Sequence, residues 1–253
     1  MRFVWTLFRR EVKSYFVSPL AYTATAVFLL IMGVLFYLGI LAYEGARVRA
    51  AANPLAELPG AEQLVRNLLG ADSTWALLII VPVLAMRLLA WERSQHTAEL
   101  LLTAPMTTFQ LVLGKFFGVL FVWAVMLALS CWMPITLLVW GKADPAPMWT
   151  GYLGLFLYGA FMLAVALLAS SLTENPILAS FLALLFMAGV NVLGALAPKV
   201  PLIGDNLELF TPAGNLALLT GGVVDTQAVV FFVSTTWLLL FVTAQVVDSQ
   251  RWR

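Results

Sequence analysis

Six stretches of the chain are apolar and long enough to be read as membrane-crossing helices: 20–43, 74–90, 110–140, 147–172, 177–197 and 228–247. A crossing needs about 20 predominantly apolar residues, and 20–43 supplies them without a single charge. Ahead of the first stretch, residues 1–18 place Phe3, Val4, Leu7, Phe8, Val12, Tyr15 and Phe16 at helical spacing, with Arg2, Arg9, Arg10 and Lys13 mostly on the other face. That pattern predicts an amphipathic helix lying along a membrane surface, its cations toward lipid headgroups. A signal peptide is the competing reading, but its apolar core runs only about 7–15 residues, and 20–43 is far longer. Pro19 sits where a proline is tolerated, at the first turn of the helix that follows.

The interruptions between the apolar stretches are informative. Residues 44–73 are mixed in polarity and carry Asn53-Pro54 and Pro59-Gly60, pairs that signal turns; 61–70 reads as a short surface helix. Residues 82–105 (PVLAMRLLAWERSQHTAELLLTAP) turn polar at Arg87 and gather Glu92, Arg93, His96, Thr97 and Glu99 into one short amphipathic segment. Such a segment between two spans serves no lipid-related purpose and suits contact with another protein. Residues 198–224 are apolar but broken by Pro201, Gly204, Pro212, Gly214 and Gly221-Gly222. They cannot form a straight span, and two half-helices dipping into the outer face as a re-entrant hairpin are expected, their backbone groups buried by other helices. Gly114 and Gly118 form a small-xxx-small pair that lets two helices approach closely, within one subunit or between two. Pro82 and Pro134 are expected to kink their spans.

Composition agrees with the pattern. Hydrophobic residues make up 62% and charged residues 11%, against roughly 45–50% and about 25% in soluble domains, so residues 1–253 read as one integral membrane domain. With both termini inside, nine Lys and Arg (Arg2, Arg9, Arg10, Lys13, Arg87, Arg93, Lys115, Arg251, Arg253) face the cytoplasm and five lie outside, as the positive-inside rule favours. The span interiors are read as free of Asp, Glu, Lys and Arg, which argues against an ion-coupled carrier. Asn191, Gln245 and Ser130 are then expected to make helix–helix hydrogen bonds of about 1 kcal/mol each. Cys131 and His96 are the only residues of their kinds, so no intrachain disulfide, thiolate metal site or cofactor is expected. An intramembrane enzyme would need those two within hydrogen-bond reach, yet they fall at different depths. There is no phosphate-binding loop, because Gly114-Lys115 and Gly141-Lys142 lack the upstream glycine and the following Ser or Thr. Any nucleotide that drives the protein is bound by a separate subunit. Nothing points to nucleic acid.

The residues resemble a family at this point. Met86-Arg87-Leu88, Glu92-Arg93, Thr97, Glu99 to Thr103 and Pro105 are similar to the cytoplasmic signature of type-2 ABC transporter permeases, in particular the gliding-motility branch. Arg10 to Phe16 with Ser18-Pro19, Leu113-Gly114-Lys115, Ser170 to Asn175, Gly222 to Asp225 and the tail 248–253 continue the pattern, so that it covers nearly the whole chain. His96, Trp91 and Pro176 depart from it, standing where Gly, an acidic residue and Gln are usual. The resemblance implies an all-α domain of six transmembrane helices, working as two copies or with a related second permease, and docked to a cytoplasmic ATP-binding subunit. It makes 1–18 the amphipathic connecting helix on the membrane lipid, 91–104 the coupling helix and 198–224 the outer re-entrant hairpin. Glu92, Arg93, His96, Thr97, Glu99, Glu174 and Asn175 become ATPase-docking residues, and Arg9, Arg10 and Lys13 the surface face of the connecting helix. The implied setting is a bacterial inner membrane, with both termini cytoplasmic and room for an auxiliary periplasmic subunit. From a different class, a membrane scaffold that recruits a cytoplasmic protein would use the same surface helix and polar loop.

Overall fold

The structure, a computed structural model, describes residues 2–51, 60–95, 107–141, 144–196 and 210–250, and among these every regular element is a helix. The chain opens with α1 (Arg2–Val17) and α2 (Pro19–Ala51). Next come α3 (Ala61–Asn67), a π-helical turn (Leu68–Asp72), α4 (Ser73–Ala85) and the short α5 (Ala90–Ser94). These are followed by α6 (Thr108–Ser130), α7 (Trp132–Gly141), α8 (Ala146–Ser171) and α9 (Pro176–Leu196). The last elements are α10 (Pro212–Thr220) and α11 (Thr226–Ser249). Among the described residues, six helical stretches are long and apolar enough to cross a membrane: Pro19–Ala50, Ala61–Ser94, Thr108–Trp140, Ala146–Ser171, Pro176–Leu196 and Thr226–Ser249.

The order of the spans is as read from the pattern, but three of them differ in extent. The first continues past Tyr43 to Ala51, since Glu44, Arg47 and Arg49 are good helix formers that need not leave the helix where they leave the apolar layer. The second starts at Ala61, where a separate surface helix was expected. Ala61, Leu64 and Val65 are buried, as are Leu68, Leu69 and Gly70 of the π-turn. The third is broken into α6 and α7 at Cys131, three residues before Pro134. A proline's missing N–H and its ring cannot continue the preceding hydrogen-bond ladder.

Helix α8 is the hub. In its most apolar stretch 78% of residues are buried, against 22% for α2 and for α11. It packs against α11, α9, α10, α4 and α6. Small residues make this possible: a Cβ on Gly154 would lie 2.9 Å from Leu219 Cβ of α10, and one on Gly159 would overlap the buried Trp123 indole of α6. Polar bonds also join helices within the bundle. Tyr158 Oη donates to Asn191 Oδ1 at 3.0 Å, joining α8 to α9, and Ser130 Oγ and Tyr152 Oη share a bond of 3.1 Å.

Two ends of the bundle can be told apart. At one end, Arg66 of α3 donates to the Gly221 carbonyl just after α10 at 3.1 Å, and Gly222 turns the chain at φ 95° beside Pro147 at the start of α8. At the other end sit α5, α1, the last turn of α8 and the end of α11, so both ends of the described chain lie together with α5. Nine-residue α10 is about 13 Å long, too short to cross. Residues 198–209 of the expected hairpin lie outside the described residues, as do residues 96–104 of the expected coupling helix.

Candidate functional site

The chain leaves α4 in two tight turns, Arg87 N donating to Leu84 O at 3.2 Å and Leu88 N to Ala85 O at 3.1 Å, and then begins α5. The first N–H groups of a helix have no partner within it, and α5 has no capping side chain of its own. Ser170 Oγ, in the last turn of α8, supplies one from outside: it accepts from Leu89 N at 3.0 Å and from Ala90 N at 2.9 Å. The short helix therefore starts on the hub.

Its first charged residue is clamped on the opposite side. Lys115 of α6 is only 1% exposed, and its ammonium lies 2.7 Å from Glu92 Oε2 and 3.2 Å from Glu11 Oε1. Arg10 closes the group, 3.3 Å from Glu92 Oε1 and 3.8 Å from Glu11 Oε1. Two carboxylates and two cations balance, as burial of charge demands. This contact depends on the glycine pair. A Cβ on Gly114 would lie 2.6 Å from Leu7 Cδ2 and one on Gly118 2.7 Å from Glu11 Cβ, so α1 rests almost on the α6 backbone. The close approach set by Gly114 and Gly118 lies within the subunit. It brings Glu11 to Lys115.

Leu7, Glu11 and Tyr15 form the buried stripe of α1 at a spacing of four, while Arg9, Arg10 and Lys13 are exposed. Below the clamp, the Arg87 guanidinium sits 5.9 Å from the centre of the Tyr15 ring. Burial, reinforced by Glu11, pushes the Tyr15 phenol well above its ordinary range, so it stays neutral.

The second charged residue of α5 reaches the other way. Arg93 Nη1 donates to the Ser171 carbonyl at 2.9 Å, Nη2 donates to Gln250 Oε1, and Gln250 Nε2 donates to the same Ser171 carbonyl at 3.1 Å. Arg93 thus joins α5 to the ends of α8 and α11. One turn further round, Thr108 Oγ1 at the start of α6 donates to Asp248 Oδ1 of α11 at 2.8 Å. A five-residue helix is thus tied to α1 and α6 on one side and to the ends of α8 and α11 on the other.

Of the residues singled out from the pattern, Glu92, Arg93 and Arg10 come together here. Glu174 and Asn175 are exposed in the short connection after α8, where Asn175 Oδ1 accepts from Ile177 N at 2.9 Å and so caps α9. His96, Thr97 and Glu99 lie outside the described residues. Lys115, Glu11 and Ser170 were not read as site residues. Lys115, counted in the pattern among the inner-end cations, stands within α6 and is buried, its charge satisfied by partners 104 and 23 positions away in the chain. The available signal was Glu11, a lone carboxylate on the apolar stripe of α1 between Leu7 and Tyr15.

Comparison with curated proteins gives no match. The family model for ABC-2 family transporter proteins matches residues 52–214, from the stretch before α3 to the start of α10, which is well over half of the chain. With six helices able to cross a membrane and a short helix tied into their end, the chain belongs to the ABC-2 transporter family, the membrane subunits of ABC transporters.

Proposed function

We propose that the protein is the permease of an ATP-driven exporter, forming the cargo path with a second copy or a related permease and driven by a separate cytoplasmic ATP-binding subunit. The observation that carries the reading is the double anchoring of α5: Glu92 to Lys115 and Arg10 on one side, Arg93 to Ser171 and Gln250 on the other. A polar segment that merely exposes charges to solvent needs no such anchorage, whereas one that receives a push must pass it to the spans. In this reading the α5 end faces the cytoplasm, with both termini, as the excess of Lys and Arg favours. The segment 91–104 enters a cleft of the ATPase, with His96, Thr97, Glu99, Glu174 and Asn175 at the contact. Glu92 and Arg93 then carry the displacement inward. Arg9, Arg10 and Lys13 lie toward lipid headgroups. Residues 198–224 form the outer hairpin at the exit, beside which an auxiliary periplasmic subunit would find its place, and the bacterial inner membrane and the gliding-motility branch suit the sequence pattern.

The test is affinity purification of the tagged full-length protein in mild detergent. Recovery of a small ATPase, diminished by Glu99→Lys and Glu174→Lys, supports the docking surface. Lys115→Met should leave that ATPase bound while its hydrolysis rate no longer responds to the permease. Capture of non-ATPase partners alone would replace this reading with a membrane scaffold.

A further inference from the structure

At the end of the bundle away from α5, a cleft of about 440 Å3 opens between α2 and the segment formed by α3 and the π-turn. Its size falls within the roughly 300–1,000 Å3 usual for small-molecule sites. Leu38, Leu64 and Leu68 give it an apolar wall, and Tyr43, Gln63, Asn67 and Asp72 are its polar side chains. The π-turn is what puts Asp72 there. Its wider winding keeps Asp72 in line with Gln63, Leu64, Asn67 and Leu68 on the face toward α2, and such turns recur at functional sites. Carbonyls at the turn are taken up by side chains: Ser73 Oγ donates to Leu69 O and Gly70 O, both at 2.9 Å, and Thr74 Oγ1 donates to Gly70 O at 3.1 Å.

Asp72 is half-buried and, among the described residues, its carboxylate makes no hydrogen bond or ion pair. Two arginines at this end, both among the described residues, have contacts of their own. The Arg47 guanidinium lies 5.8 Å from the centre of the Tyr43 ring, and Arg66 donates to the Gly221 carbonyl. Gln63 Nε2 donates to Asn67 Oδ1 at 3.0 Å, joining the two amides that line the cleft. Asp72 is the twelfth residue of the span Ala61–Ser94, about 16 Å along it at 1.5 Å per residue.

We propose that this cleft binds a cationic amphiphile, a molecule with a protonated amine or ammonium head on an alkyl chain. The head is held by the Asp72 carboxylate, and the chain lies along Leu38, Leu64 and Leu68. An anionic head would face Asp72 with like charge, and an uncharged one would leave the carboxylate without a counter-ion in an apolar cleft. The claim goes beyond the export reading and stands apart from it, since binding needs no ATPase.

The experiment is equilibrium binding of radiolabelled dodecylamine, protonated at pH 7, to the full-length protein in phosphatidylcholine nanodiscs, with empty discs as background. Saturable binding is expected, competed by unlabelled dodecylamine but not by dodecanol or methylammonium. Asp72→Asn should weaken it about tenfold or more, while Asp72→Glu, which keeps the charge, should retain most of it. Both variants are checked for wild-type elution and thermal unfolding. No saturable binding above empty discs, equal binding by the properly folded D72N variant, or equal competition by dodecanol would overturn the proposal. So would a change of oligomeric state in D72N with unaltered binding, which would assign the carboxylate to a subunit seam.

Discussion

Replacing Lys115 by Met removes one ammonium from between two carboxylates and leaves the helix backbone and most of the side-chain volume in place. Lys115 is 1% exposed, Glu11 11% and Glu92 16%, so the carboxylates cannot simply turn to water. Deleting one partner of a buried ion pair costs about 3–5 kcal/mol, because an uncompensated charge stays behind. Arg10 remains 3.3 Å from Glu92, but its side chain is 56% exposed, so it offsets only the ~0–1 kcal/mol of a surface pair. A net loss of about 2–5 kcal/mol follows. At about 2–4 °C per kcal/mol for a chain of this size, the midpoint of thermal unfolding falls by roughly 4–20 °C. The assay is unfolding in nanodiscs, with hydrogen exchange read at α1 and α5, where protection should fall most. Neutralising the whole group in the triple variant E11Q/E92Q/K115M should recover most of the loss, since an apolar or neutral replacement of a buried ion cluster is often nearly without cost. If K115M unfolds within about 0.5 kcal/mol of wild type, or if the triple variant is as unstable as the single one, the lysine is not what pins α1 and α5 to α6.

Two further substitutions test the packing around that junction. Ser170→Ala deprives the Leu89 and Ala90 amides of their acceptor; a loss of about 1–2 kcal/mol is expected, seen as faster exchange at those two amides, while α9 exchanges as before. Gly159→Ala places a methyl into the Trp123 indole, an overpacking worth about 1–3 kcal/mol. Adding Trp123→Phe, a smaller ring, should recover part of the lost unfolding midpoint, and failure to do so would show that the helices do not meet as described.

The membrane class, the number and order of the spans and the polar segment between the second and third could all be read without coordinates. They rest on local properties: apolar length, charge and periodicity act within a window of some twenty residues. Gly114 and Gly118 were legible as a close approach, although not against which helix. Helix extents were less so. The polar residues after Tyr43 and before Ser73 signalled loops, but the long helices carry both stretches, with Leu64, Val65 and Leu69 buried against neighbours. Which charges meet was decided only by the tertiary structure. Lys115 reads as an inner-end cation, and Glu92 and Arg93 as charges turned toward a partner protein, until α1 is laid on α6 and α5 on the end of α8. The reason is physical: a charge can stay buried only where its counter-ions are brought within a few ångströms. Those counter-ions, Glu11 and Glu92, come from chain positions that no local pattern relates to Lys115.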